Sequence, residues 1–298
     1  MKAIVCESYG SAEALKIKDI QTPIIKPNEL LIKIKATTLA SGDCVVKNAT
    51  NPFIRIMFGF RRPRNPILGT DLAGVVEQVG SNVTQFNIGD RVIASTGMKF
   101  GGHAEYISLK EKSAIALIPE NLSYEDAVTL AFGGTAALHF LKKVKINKQT
   151  KILIYGASGA VGSSSIQIAK YYGANVTGVC STQNKEMIQT LGADYVLDYT
   201  KDDLKHNTEK YDFIFDAVGK TAKKDWEKSL SNEGKFATIA KGFIKVNIPD
   251  LKMLIALVEN GQLKPVVDRV YQMNQIVEAY QYVESGRKKG NVVIQISK

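Results

Sequence analysis

Apolar and polar positions alternate with a period of two through much of the first hundred residues. LKIKDI at 15–20 and LLIKIKATTL at 30–39 interleave aliphatic with basic residues, the pattern of strands that bury one face. AIVCES at 3–8 alternates more weakly, and Pro23 and Pro27 interrupt the chain between the two stronger runs. DLAGVVEQVG at 71–80, RVIAS at 91–95, HAEYISL at 103–109 and AIALIP at 114–119 follow, separated by glycine-rich turns. Many short strands with such turns predict a β domain of barrel or sandwich type.

The pattern changes near Pro119. Ser123 suits a helix N-cap, with Glu125 and Asp126 in the first turn. From there apolar runs and helical periods alternate. KILIY at 151–155 reads as a buried strand, VGSSSIQIAKYYG at 161–173 as a helix, NVTGVCS at 175–181 as a strand and KEMIQTLG at 185–192 as a helix. YVLDY at 195–199 and YDFIFDAVG at 211–219 read as strands, AKKDWEKSLS at 222–231 as a helix and KFATIA at 235–240 as a strand. Such alternation predicts an α/β fold with a doubly wound parallel sheet. Helical patterns at 250–261 and 274–286 frame the strands VVDRVYQ and NVVIQIS, and the last strand is expected to return to the first domain.

The chain has 298 residues, enough for two domains, and its 45% hydrophobic and 23% charged content is that of an ordinary globular protein. Bulk disorder and fibrous character are excluded. The formal net charge is +10. Most of the cations are lysines spread along the chain, so nucleic acid is not expected as a main partner. Four arginines do cluster, at Arg55, Arg61, Arg62 and Arg64. Cys6, Cys44 and Cys180 form no CxxC pair, which suits a reducing cytoplasm. The N-terminus lacks the apolar core of a signal peptide. The uncharged run Ile152 to Ala169 holds three Gly and four Ser, so it reads as strand, turn and helix, and no membrane partner is expected.

The strongest motif is Gly156-Ala157-Ser158-Gly159-Ala160-Val161-Gly162, directly after KILIY and opening a helix. Small residues permit a tight turn and close approach of backbone to a pyrophosphate. Gly162 lets helix and strand pack closely, and the helix N-terminus favours negative charge. A dinucleotide is the expected ligand. An NAD site places an acid about 20 residues further on. Here that stretch is Thr177 to Ser181, and no Asp or Glu occurs from 127 to 185. Ser181 and Thr182 offer hydrogen bonds and Lys185 a positive charge, a set that favours the 2′-phosphate of NADPH.

With these elements in place the sequence resembles the medium-chain dehydrogenase/reductase superfamily, in its zinc-free quinone oxidoreductase branch, which includes zeta-crystallin-like proteins. The matching stretches are 68–92, 101–109, 151–170, 191–199, 211–219 and 284–294. The resemblance implies a Rossmann doubly wound parallel sheet plus a GroES-like β-barrel domain. The GroES-like domain is expected over 1–119 and 266–298, the Rossmann domain over 120–265, with the active site in the cleft. It carries phosphate-binding positions onto Ser181, Lys185, Tyr199 and Arg287. Ala217 and Val218, with Ile239 and Lys241, are implied beside the ribose and nicotinamide, and Thr135 near the nicotinamide. Members are commonly homodimers or homotetramers.

The zinc-dependent branch needs a Cys and a His-Glu pair. Here the corresponding stretches read Leu39-Ala40-Ser41-Gly42-Asp43 and Gly69-Thr70-Asp71, and His103, His139 and His206 do not replace them. No metal is expected. The implied activity is NADPH-dependent reduction of a small electrophile, a quinone or α,β-unsaturated carbonyl. The rivals are an NADPH sensor or RNA-binding protein of the zeta-crystallin type, and a zinc alcohol dehydrogenase. No general acid stands out: Ala40 and Val46 occupy places where zinc-free relatives often carry Asn and Tyr. Asp43 is the nearest polar candidate, although it reads first as a structural helix cap or a hydrogen bond to a loop. Met57 and Phe58 lie in the arginine-rich segment 53–64, readable as a packed loop with its arginines in water or as an apolar lid over the substrate. His103 and His139 read as packing residues.

Overall fold

The computed structural model describes residues 1–204, 207–242 and 244–297. The chain forms two compact units. The first comprises Met1–Phe132, Val246–Lys252 and Val267–Lys298, the second Gly133–Lys245 and Met253–Val266.

In the first unit, β1 (Lys2–Cys6) pairs antiparallel with β2 (Leu15–Asp19). A larger sheet is built on β3 (Glu29–Leu39), β4 (Asp71–Val79), β5 (Arg91–Ser95), β6 (Tyr106–Lys110) and β7 (Ala114–Leu117), completed by β13 (Val267–Gln272) and β14 (Asn291–Gln295). Its order is β13-β14-β3-β4-β5-β7, with β6 also on β3. The last strand does return: Val292 lies opposite Leu39 and Gln295 opposite Ala36 in an antiparallel ladder. The period-two pattern has its reason in burial. Leu30, Ile32 and Ile34 of β3 join Leu72, Val76, Val92 and Ile294 in one core, while Lys33 and Lys35 stay partly solvated. Two short helices, α1 (Ser41–Asn48) and α2 (Pro52–Phe58), follow β3 in a stretch whose pattern reads only as strands and turns. At eight and seven residues they are too short to show a helical period. The unit also holds α3 (Tyr124–Thr129) and α8 (Ile276–Glu284).

The second unit contains α4 (Thr135–Leu141), β8 (Lys151–Tyr155), α5 (Ala160–Tyr171), β9 (Asn175–Cys180), α6 (Lys185–Thr190), β10 (Tyr195–Asp198), β11 (Tyr211–Asp216) and β12 (Leu230–Thr238). A further helix, α7 (Ile248–Glu259), continues from one unit into the other. All pairings in the five-stranded sheet are parallel and its order is β10-β9-β8-β11-β12. The chain starts at the central strand, winds one way, then crosses back. This leaves a topological switch point at the carboxyl ends of β8 and β11.

The helix expected over 222–231 does not form. One 3₁₀ turn spans Lys223–Trp226 and the chain enters β12 by Leu230. Trp226 decides this. Its indole N–H donates to Thr221 Oγ1 at 3.0 Å, and its ring packs with Leu153, Tyr211 and Leu230. Burial of one large ring outweighs the propensity of a lysine-rich stretch. Among the described residues no helix is long and apolar enough to cross a membrane.

Lys47 is an unexpected buried cation. Its ammonium donates to Gly10 O at 2.8 Å, pairs with Glu284 at 2.7 Å and stands 5.7 Å from the Tyr280 ring centroid. It thereby ties α1 to the N-terminal loop and to α8. Lys47→Ala is expected to lower stability in urea unfolding by about 2–3 kcal/mol, since it strips the Gly10 carbonyl of its partner and leaves the Glu284 charge to the Asn48 amide.

Candidate functional site

In the second unit the strand ends converge on one crest. The N–H groups of Gly156 and Ala157 both donate to Val179 O, at 3.1 and 3.0 Å, pinning the turn after β8 against β9. Gly156 has φ +76°, and a Cβ there would run into the Val218 side chain. A Cβ at Gly162 would strike Gly156 O and come within 2.8 Å of Ala157 Cα. Both positions therefore require glycine. Gly159 is the N-cap of α5 and provides no side-chain cap. The first-turn N–H groups of Ala160, Val161 and Gly162 are left for an outside acceptor at the positive end of a twelve-residue helix. An uncapped helix behind a turn that tolerates no extra carbon fits a dinucleotide pyrophosphate. Ser158 Oγ accepts from Asn184 Nδ2 at 3.1 Å, and the same amide donates to Ser181 Oγ at 3.3 Å. Asn184 is buried, and its Oδ1 has no partner. It clamps the glycine turn to the end of β9. Nothing local distinguishes an Asn in a TQN turn, so the sequence reading missed it.

Ser181, Lys185 and Tyr199 come together at the ends of β9 and β10. The Tyr199 N–H donates to Cys180 O at 3.1 Å, which sets its backbone beside the residue that precedes Ser181. The same pairing brings in an acid that counting along the chain does not reveal, because Asp198 lies opposite Cys180. Asp198 is fully buried. Its carboxylate accepts from Thr182 Oγ1 at 2.6 Å and from Thr200 N and Oγ1 at 3.0 and 2.6 Å, and Lys185 Nζ stands 3.5 Å away. Burial works against its charge, but these hydrogen bonds and the Lys185 charge prevail and hold the carboxyl well below the usual range. Asp198 is saturated by its neighbours. It fixes Lys185 rather than offering oxygens to a ribose diol.

Ala217 and Val218 follow β11. Asp216 accepts from the N–H groups of Val218 and Gly219, both at 2.9 Å, from Thr221 N at 2.7 Å and from Thr238 Oγ1 at 3.2 Å. One buried carboxylate thus shapes the whole turn. Ala217 N donates to Tyr155 O, Ile239 N to Asp216 O and Lys241 N to Thr238 O, so the ends of β8, β11 and β12 are stitched side by side. Thr135 opens α4 and is buried. Arg287 belongs to the first unit, exposed in the turn before β14.

In the first unit Met57 and Phe58 line a cavity of about 290 Å³, together with Pro63, Arg64, Asn65, Met98 and Phe100. Phe58 and Phe100 meet edge to face with centroids 5.4 Å apart. Asn65 Nδ2 donates to Lys99 O at 2.8 Å, joining the two walls. Phe100 is held at φ +57°, a left-handed conformation unusual for a bulky residue and a local store of strain. Asp43 does not line this cavity. Its carboxylate is buried and accepts from Ala40 N at 2.9 Å and Gly69 N at 3.2 Å, the structural role rather than a substrate contact.

Zinc would need donors that gather. Cys44 is buried on α1, and burial, reinforced by Asp43, pushes its thiol up to about 12. His103 is buried with Nε2 3.2 Å from Thr38 O, and burial keeps the ring neutral. Asp71 accepts from Thr38 Oγ1 at 3.0 Å. Among the described residues no three His, Cys, Asp or Glu side chains come together as a metal would require. His206 lies outside the described residues.

Burial raises the Asp71 carboxyl to about 7, with the Asp43 charge adding to the rise, against roughly 4 in an unfolded chain. The native state therefore holds a proton that the unfolded state releases. Stability is expected to fall as pH rises from about 4 through about 7. Asp71→Asn is expected to flatten that slope in urea unfolding followed across this range, with buried Asp43, whose carboxyl is also raised, retaining the rest.

Comparison with known proteins accords with this geometry. A model of the alcohol dehydrogenase GroES-like domain matches residues 26–120, and a zinc-binding dehydrogenase model matches 160–265. The chain is 34% identical to a 2-methylene-furan-3-one reductase of Solanum lycopersicum, and 33% identical to an NADPH-dependent alkenal/one oxidoreductase, chloroplastic, of Arabidopsis thaliana. Each match covers 99% of this chain and 79% of the relative. The solved quinone oxidoreductase of Coxiella burnetii superposes with a TM-score of 0.87 at 27% identity, covering 100% of this chain and 99% of that one. The chain belongs to the medium-chain dehydrogenase/reductase superfamily, in its quinone oxidoreductase branch.

Proposed function

We infer that the chain is an NADPH-dependent reductase that transfers hydride to a quinone or an α,β-unsaturated carbonyl without a metal. The observation that carries this reading is the uncapped start of α5 behind a turn where carbon at Gly156 or Gly162 has no room. Relatives named for alkenal/one and quinone reduction support the reaction class. Bound there, the reduced nicotinamide supplies the hydride.

The protein's own residues do the rest. The N–H groups at the start of α5 hold the pyrophosphate, and Ser158 with Asn184 keeps their turn in place. Ser181, Lys185 and Tyr199 hold the 2′-phosphate, and Asp198 fixes where the Lys185 ammonium stands. Asp216 holds the 217–219 turn, while Ile239 and Lys241 border the ribose. Thr135 completes the cofactor set by family analogy. The cavity of the first unit, with Met57, Phe58 and Phe100, takes a flat apolar acceptor. No side chain is assigned as general acid, and the proton comes from solvent. The scattered donors around Cys44 and Asp71 argue for chemistry without a Lewis acid. Three free, buried cysteines suit a reducing compartment such as the cytoplasm.

Two measurements test the reading. Purified protein given NADPH and a panel of quinones and enones is expected to oxidise the cofactor only when acceptor is added. Cofactor binding without turnover on any acceptor would replace the enzyme with a sensor. Lys185→Gln is expected to raise KM for NADPH roughly tenfold or more, by loss of a charge-assisted bond, and to leave KM for NADH within about twofold. An equal effect on both cofactors would remove the 2′-phosphate from this site.

A further inference from the structure

The segment around α2 carries more apolar surface than its packing uses. Ile54 and Phe58 turn inward, and Phe58 packs on the core of the first unit. Phe53, Ile56 and Met57 follow the spacing i, i+3, i+4 on the outside of α2, and Phe60 lies just past the helix end at Gly59, with exposure from 41% at Met57 to 71% at Phe60. Met98 across the cavity is 54% exposed. A stripe of this spacing is normally the buried face of a helix, yet among the described residues nothing covers it. Large exposed apolar patches mark interaction sites.

Its border is cationic. Arg61, Arg62 and Arg64 are exposed and form no ion pair among the described residues. Arg55 lies 5.3 Å from the Tyr9 ring centroid and donates to Ala49 O at 3.2 Å. No Asp or Glu occurs from residue 44 to residue 70. Tyr9 OH donates to Gly59 O at 2.7 Å, which anchors the segment to the body of the unit. The patch is therefore presented on a held scaffold.

We propose that this face docks on an anionic phospholipid bilayer, with Phe53, Ile56 and Phe60 entering the headgroup boundary and Arg61 and Arg62 meeting lipid phosphates. Charge and chemistry select this occupant. In a two-fold pairing of copies the patch would meet itself, setting arginine against arginine, and the Glu7 carboxylate near Arg62 is already paired with Lys18. RNA would use the arginines and the phenylalanines but has no counterpart for Ile56 and Met57, since nucleic-acid platforms work by stacking. A bilayer matches both properties at once: its acyl boundary takes the aliphatic and aromatic side chains, and its anionic headgroups take the cations. The lack of a spanning helix has no bearing on a surface contact of this kind. The apolar cavity shares Met57, Arg64 and Met98 with the patch, so a lipid-dissolved acceptor would meet the cavity at the surface that docks.

The test is co-sedimentation of the full chain with large unilamellar vesicles of phosphatidylcholine, with and without phosphatidylglycerol. The expected result is binding only when phosphatidylglycerol is present, weakening as salt is raised. Arg61→Gln with Arg62→Gln is expected to weaken partitioning about thirtyfold. Phe53→Ser with Phe60→Ser is expected to weaken it roughly tenfold at low salt. Both double variants should keep the wild-type circular dichroism, thermal unfolding and NADPH oxidation with a water-soluble acceptor. Absence of binding, equal binding to neutral vesicles, or wild-type binding by both double variants would overturn the proposal. So would a self-association in solution that Phe53→Ser with Phe60→Ser abolishes, which assigns the face to a second copy. Capture of single-stranded RNA through Arg61 and Arg62, without vesicle binding, would assign it to nucleic acid.

Discussion

The parallel sheet and the cofactor site depend on one close approach. The strand KILIY must stop and the helix from Ala160 must start within a few residues, with backbone packed on backbone. Gly162 stands where a single added carbon would strike Gly156 O, and the turn is held by two N–H groups on one carbonyl, Val179 O. That contact aims the uncapped helix end at the crest of the sheet. The same lack of side chains that makes the turn possible leaves its N–H groups open to a phosphate. Structure and binding are one constraint here.

Around this turn the unit uses saturated carboxylates as fasteners. Asp216 accepts four hydrogen bonds and shapes the 217–221 turn. Asp198 is filled by Thr182 and Thr200 and fixes Lys185. Neither has an oxygen free of the protein's own donors, and the Asp198 charge is offset by Lys185 beside it. In the first unit Asp43 does similar work by capping α1 and holding Gly69. A buried carboxylate that accepts backbone N–H groups is a positioning device.

Much of this was legible from residue order. The strands of both sheets follow from period-two alternation and short aliphatic runs, and α5 and α8 from their periodicity and flanking glycines. The glycine turn, Ser181 and Lys185 were read from motif and spacing and Tyr199 from the family resemblance, and all of them lie next to strand ends. The errors share a cause. Helix propensity over 222–231 lost to the burial of Trp226, whose partners Leu153 and Tyr211 are far away in the chain. Asn184 and Asp198 were missed because their roles come from neighbours brought in by β9 and β10 pairing. For Asp43 the sequence favoured a helix cap or a loop hydrogen bond over a substrate contact, and the structure supplies both, the loop partner being Gly69, 26 residues further on.

By itself the sequence determined the two kinds of domain, the alternation of strands and helices in the second and the place of the glycine turn. Those properties are local: they rest on side-chain period, chain reversal at glycine and the dipole of one helix. Only the tertiary structure decided that Asp198 serves Lys185, that Lys47 is a buried cross-tie, and that Met57 and Phe58 share a cavity with Met98 and Phe100. It also decided which side of α2 faces outward. A short apolar run reads alike whether packed or bare, and burial is settled only when distant segments arrive to cover it.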